Sequence, residues 1–236
     1  MSTGIDIRTG NRQGCISETH TEAPFSVLTE EEMRRLDEHS AIVDYRKGDV
    51  IAKQGALASH VLFLESGLAK TYLEGQPKDL ILSILPPGSF IGLTSLFEGN
   101  HVFLNSAATY EDSRVRMIDI AVMKQVLSEN TAFASSIISI LNQATSHLYG
   151  RIYCLSRKQS HGRVADVLLC LSERVYSSTQ FHLDLSRNDL ADLTGLTSES
   201  VIRILKEFKD EGIIASRAKD ITILNLPALH RISQHS

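Results

Sequence analysis

The stretch "LSRNDLADLTGLTSESVIRILKEFKDEGI", residues 185–213, constrains the fold more than any other part of this sequence. Ser186 and Asp189 are spaced as a cap pair that opens a helix, and Gly195 in "LTGLT" breaks that helix in a tight turn. Thr197 caps the next one, residues 197–211. There Val201, Ile204, Leu205 and Phe208 recur at the spacing that buries one face, and Gly212 supplies a stop. The opposite face carries Ser198, Glu199, Ile202, Arg203, Lys206 and Lys209. A helix, a short glycine turn and a second helix displaying polar and basic residues from its first turns make a helix-turn-helix, whose second helix can enter the DNA major groove. The following "IIASRAKDITILNL" reads as two short strands around a basic turn, Arg217 to Lys219, a wing able to touch phosphates.

The chemistry suits base reading. Arg203 can donate two bonds to guanine O6 and N7, and Glu199 can accept from cytosine N4, each worth about 1–3 kcal/mol of discrimination. Ile202 can meet a thymine methyl. The competing interpretation is a solvated charged face in which Glu199 and Arg203 pair four residues apart. The turn, both caps and the wing in sequence favour DNA.

Upstream the texture changes twice. Residues 1–25 are polar and aperiodic, a tail. "LTEEEMRRLDEH" opens with Thr29 and Glu32 as a capping box. From about 40 to 120, short β-rich runs are punctuated by Gly48, Gly55, Gly67, Gly75 and Gly88, which predicts an antiparallel roll. From about 121 to 158 the period lengthens to that of one long helix. Ile137, Leu141, Ala144, Leu148, Ile152 and Leu155 form an apolar stripe along it, burying against either the chain's own β-domain or a second copy; the coiled-coil-like spacing favours the second. The segment from Arg157 to His161 is the expected hinge. The expected class is therefore α+β, with a β-roll at 26–125, a long helix and hinge at 126–158 and a winged helix-turn-helix at 159–236.

The remaining motif is "GSFIGLTSLFEGNHVFLNSA", residues 88–107. It is laid out as a phosphate-holding loop, a glycine turn leading into a short helix, yet no lysine or arginine occurs between Lys78 and Arg114. Gly92, Leu93, Thr94, Asn105 and Ser106 are the candidate pocket residues.

Taken together, these motifs resemble the CRP/FNR superfamily of bacterial transcription regulators along nearly the whole chain from about residue 26. "GDVIAKQG" and "HVLFLESGLAK" resemble its β-roll, "GSFIGLTSLFEG" its ligand cassette, "GRVADVLLCL" the helix after its hinge, and residues 185–214 its helix-turn-helix. The resemblance implies a homodimer joined through the central helix, double-stranded DNA and RNA polymerase as partners, and effector binding that reorients two recognition helices. It places Glu199 and Arg203 on the base-reading acid and arginine, Arg187 on a phosphate-contacting arginine, and Ser198 and Ile202 on specificity-tuning positions. It also implies a palindrome of TGA-like half-sites, set about 34 Å apart by two-fold symmetry.

Departures from the family pattern bear on the effector. Members that bind cyclic nucleotides carry a glutamate after the cassette glycine and an Arg-Ser pair near its end. Here Leu93 replaces the glutamate, and Asn105-Ser106, or Phe103-Leu104 without a gap, replaces Arg-Ser. Helix-start N–H groups can still attract an anion, but a phosphate buried without its cation is poorly compensated. Cyclic AMP is not expected. An iron–sulfur cluster is not expected either, because it needs several thiolates and only Cys15 lies in the first part of the chain. Haem stays open, with His60, His101 and His147 as candidate ligands.

Composition excludes little: 42% hydrophobic, 22% charged and a net charge of −4 fit an ordinary soluble protein whose basic surface is local. No apolar run approaches the roughly 20 residues of a membrane span, and Cys15, Cys154 and Cys170 contain no C-x-x-C pair, so free thiols and a cytoplasmic location are expected. An enzyme of the cupin type would need an H-x-H group with further ligands; His60 and His101 stand alone. A haem-based gas or redox sensor of the same family, and a cyclic-nucleotide-binding-like module acting on another protein, are the alternatives to a DNA-binding regulator.

Overall fold

The computed structural model describes residues 24–76, 78–97, 99 and 101–235. The tail before residue 24, Cys15 included, lies outside the described residues. The chain divides into two compact units: 24–144 apart from 78–82, and 145–235 together with 78–82.

In the first unit, helix α1 (Glu30–Glu38) opens as the sequence predicts: the Glu32 N–H donates to Thr29 Oγ1 at 3.3 Å and the Thr29 N–H to Glu32 Oε2 at 2.8 Å. Eight strands follow: β1 (Ser40–Tyr45), β2 (Val50–Ala52), β3 (His60–Ser66), β4 (Ala69–Leu73), β5 (Leu80–Leu85), β6 (Phe90–Ile91), β7 (Ser106–Thr109) and β8 (Ser113–Asp119). They form two four-stranded sheets, β1-β8-β3-β6 and β2-β7-β4-β5. The pairings β1–β8, β3–β8, β3–β6, β2–β7 and β4–β7 are all antiparallel.

Alternation along β3 explains how one sheet serves two cores. Successive side chains of a strand point to opposite faces. Leu62 and Leu64 join Val115, Ile51, Ala69, Leu85 and Ala107 in the cluster shared by the two sheets. Val61 and Phe63 face the other way, toward Leu36, Ile118, Met123, Phe133 and Ile137. Each fully buried Leu or Phe contributes about 1.5–3 kcal/mol. Phe25 completes the second cluster, its ring 5.0 Å from Phe63 and 6.0 Å from Phe133.

The long helix expected from 121 to 158 is two helices. α2 (Ile120–Glu129) is capped by Asp119, which accepts from the Ala121 N–H at 2.7 Å. α3 (Thr131–Arg157) starts afresh at Asn130, whose Oδ1 accepts from the Phe133 N–H at 2.9 Å. Asn130 competes for the backbone through its own amide and so ends one helix while capping the next.

The second unit contains the last turns of α3, then α4 (Ser160–Cys170), a π-helical turn (Leu171–Val175), β9 (Gln180–His182), α5 (Arg187–Thr194), α6 (Ser198–Asp210), β10 (Ile214–Arg217), β11 (Asp220–Ile223) and α7 (Leu226–His235). The wing is a three-stranded sheet, β10-β11-β9, and not the expected two-stranded one. The Asp166 carboxylate on α4 accepts from Lys158 Nζ at 2.6 and 2.8 Å, from Cys154 Sγ at 3.2 Å and from Ser233 Oγ of α7. Burial pushes the Cys154 thiol up to about 12. Arg151, 4% exposed, donates to the Ile81 carbonyl at 3.2 Å, and desolvation lowers its guanidinium to about 10. Cys170 is buried, as expected.

Candidate nucleic-acid interface

Short-range capping builds the interface. The Asp189 N–H donates to Ser186 Oγ at 3.1 Å and the Ser186 N–H returns a bond to Asp189 Oδ2 at 2.9 Å, which starts α5. Gly195 ends it at φ +62°, in the left-handed region that glycine enters without steric cost. A Cβ there would come within 3.2 Å of Leu155 Cδ2 and 3.3 Å of Arg163 Nη1. Thr197 Oγ1 then accepts from the Ser200 N–H at 3.2 Å and α6 begins.

Along α6, Val201, Ile204, Leu205 and Phe208 are buried, as their spacing predicts. Glu199, Ile202, Arg203 and Lys206 lie on the exposed side, Ile202 at 52% exposure. Ser198 Oγ donates to Asn188 Oδ1 at 2.6 Å, which fixes the start of α6 against α5. Arg203 pairs with Glu207 at 3.0 Å, not with Glu199. Glu207 also accepts from His161 Nε2 at 2.6 Å, and that bond, followed by the charge of Arg203, holds its carboxyl below the ordinary range.

Arg187 is half-buried and its Nη2 donates to the Ala218 carbonyl at 3.3 Å, so the arginine braces the wing turn from α5. Ala218 sits at φ +54°, and Arg217 and Lys219 flank it, both exposed. Lys209 Nζ reaches the Ser216 carbonyl at 3.3 Å. The structure thus brings Arg187, Ser198, Glu199, Ile202, Arg203, Lys206, Arg217 and Lys219 onto α5, α6 and the wing of one unit. Sequence reasoning missed Asn188, Glu207 and His161. Glu207, four residues after Arg203, carried a local signal; His161 carried none.

The cassette is arranged differently from expectation. Gly92 has φ +83°, and a Cβ there would lie 2.7 Å from Phe103 Cε1, so the Phe103 ring occupies the space over the glycine. Leu93 is 7% exposed and packs in the core with Met123 and Phe133. Thr94 is exposed and Asn105 half-buried. Ser106 is fully buried; its Oγ accepts from the Gln54 N–H at 2.8 Å and donates to Glu74 Oε1 at 2.6 Å. A carboxylate therefore stands beside Ser106. Of the histidines, His60 bonds Ser59 Oγ through Nδ1 at 2.8 Å and His101 is exposed. Among the described residues no three His, Cys, Asp or Glu side chains are grouped to hold a metal ion.

On α3 the apolar stripe splits by location. Ile137 is 1% exposed in the β-roll core, Leu141, Ala144 and Leu155 are half-buried, and Leu148 and Ile152 are exposed. Ile138 and Tyr149, which sequence reasoning did not single out, are exposed beside them.

Comparison with known proteins agrees with this geometry. The sequence matches the Crp-like helix-turn-helix domain over residues 162–232 and the cyclic nucleotide-binding domain over residues 42–130. It is 30% identical over 171 residues to the transcriptional regulatory protein btr of Bordetella pertussis, covering 70% of each chain. To the fumarate and nitrate reduction regulatory protein of Escherichia coli it is 26% identical over 222 residues, covering 90% of this chain and 86% of the other. The structure of FixK2 from Bradyrhizobium japonicum superposes with a TM-score of 0.76 at 25% identity, over 84% of this chain and 98% of that one. With its β-roll, its long helix and its helix-turn-helix DNA-binding domain, the chain belongs to the CRP/FNR family of transcription regulators.

Proposed function

We propose that the protein works in the cytoplasm as a homodimer that binds a palindromic duplex through α6, contacts RNA polymerase, and does not take cyclic AMP as its effector. The β-roll at 26–125 is its sensor, 126–158 its dimerisation helix and hinge, and 159–236 its DNA-binding part. The observation that carries the DNA reading is the α6 face: a helix fixed by four buried residues, Phe208 among them, displays Glu199, Ile202 and Arg203 outward, beside a wing with Arg217 and Lys219. Arg203 reads guanine, Glu199 accepts from cytosine, and Lys206, Arg217 and Lys219 meet phosphates.

Three further observations support the finer points. Ile138, Leu148, Tyr149 and Ile152 leave an apolar strip exposed on α3, and such a strip is removed from water by a second copy across a two-fold axis. Glu74 beside Ser106 puts negative charge where a nucleotide phosphate would need positive charge. Phe103 over Gly92 makes the cassette apolar, which suits an uncharged effector or none. The test is selection of bound sequences from a randomised duplex pool with and without millimolar cyclic AMP, together with the native mass. Inverted repeats that disappear with Arg203→Ala, a dimer mass and no change with the nucleotide are expected; unchanged sequence preference in Arg203→Ala would overturn the base-reading role.

A further inference from the structure

We infer that Glu207 is a positioning residue for base recognition, holding Arg203 in place on α6 while His161 holds Glu207 from α4. This rests on the base-reading role of Arg203 given above. The two oxygens of one carboxylate have separate tasks: Oε1 accepts from Arg203 Nη1 at 3.0 Å and Oε2 from His161 Nε2 at 2.6 Å. His161 is in the first turn of α4, and its ring lies 6.0 Å from that of Phe208, which is 1% exposed. The anchor is thus a half-exposed imidazole that starts from a neighbouring helix and leans on the Phe208 ring.

That distinction decides whether the pair matters. An isolated exposed pair four residues apart on a helix contributes little, because both chains must be ordered to make it. Here the carboxylate has a second partner on another helix, so the pair leaves less to be ordered than an isolated one. The charged and titratable groups acting on Glu207 are His161 from α4 and Arg203 from α6 itself. Glu199, one turn the other way, is exposed and does not compete for Arg203. A guanidinium has five N–H donors. One is given to Glu207, and an edge is left for guanine O6 and N7. Fixing the side chain before DNA arrives reduces the ordering cost of a correct contact, which raises discrimination between bases more than affinity for any duplex.

The test is selection from a randomised duplex pool with the full-length wild type, Glu207→Gln, His161→Gln, His161→Ala, Arg203→Ala and the Arg203→Ala/Glu207→Gln double variant, each checked for an unchanged far-ultraviolet spectrum at the assay temperature. Glu207→Gln is expected to flatten the preference at the base that Arg203→Ala abolishes, by roughly two- to fivefold, with undiminished binding to duplexes of unselected sequence. His161→Ala should do the same, whereas His161→Gln, which keeps a donor for the carboxylate, should retain most of the preference. Adding Glu207→Gln to Arg203→Ala should change nothing further. Full preference in Glu207→Gln, or an equal loss in the Arg203→Ala background, would overturn the positioning role. Full preference in Arg203→Ala would instead bring down the base-reading role on which it rests.

Discussion

Ser106, buried in β7, donates its hydroxyl proton to the Glu74 carboxylate at 2.6 Å while accepting from the Gln54 N–H. Its one hydroxyl donor is used within the protein, and the acceptor of that bond is a carboxylate. Titration with millimolar cyclic AMP is therefore expected to leave DNA affinity unchanged and to give no binding heat. Ser106→Ala leaves the Gln54 N–H without its acceptor and should lower stability by about 1–2 kcal/mol in urea unfolding.

Ile137 and Ile152 lie on one helix in different surroundings, the first in the β-roll core and the second 56% exposed. For the homodimer proposed above, Ile152→Glu should keep the far-ultraviolet spectrum and raise the dimer dissociation constant on the order of a hundredfold, because its two-fold axis would bring the two introduced charges into one seam. Ile137→Glu should instead unfold the β-roll at any protein concentration. Sedimentation read beside circular dichroism separates the two outcomes.

Arg187 reaches the wing and not the recognition helix, through its bond to the Ala218 carbonyl. Arg187→Ala should weaken binding to all duplexes without reordering them and reduce the salt slope of affinity by about 1. Lys219→Ala, which leaves the brace intact, should lower the salt slope with a smaller loss of affinity. Fluorescence anisotropy at several salt concentrations measures both.

Glu32, Asp44, Glu129 and Glu207 are all held below the ordinary carboxylate range, chiefly by hydrogen bonds from the Thr29 backbone, Arg114, Gln125 and His161 respectively. A carboxyl whose folded value is depressed contributes stability that is fully present above its unfolded value and is lost as pH falls through the folded one. The thermal midpoint should hold down to about pH 5 and fall below about pH 4. Glu129→Gln, measured across that window, should show a shallower fall.

Much of the DNA-binding unit was legible because its signals are local. Ser186 with Asp189, Gly195, Thr197 and the buried face of α6 each act within four residues, and the structure has each where the spacing put it. The break at Asn130 was missed because the apolar period continues across it and only an amide side chain interrupts the helix. β9 was missed because three residues cannot establish an alternation. Leu93 was expected in a pocket, but a 3-10 turn following Gly92 turns it into the core. Glu74 with Ser106, and His161 with Glu207, are 32 and 46 residues apart, so tertiary folding alone joins them.

The carboxylate of Asp166 has a mechanical consequence. Only Lys158 and Gln159 separate α3 from α4, and a two-residue link can swivel. Cys154 on α3 and Lys158 in the link on one side, Asp166 in the middle and Ser233 on the other form a strut across the link. One carboxylate thereby pins the end of α3, the link, α4 and α7 to a single point, as one pin keys several shafts, so the C-terminal helix is tied to the link as well as to α4.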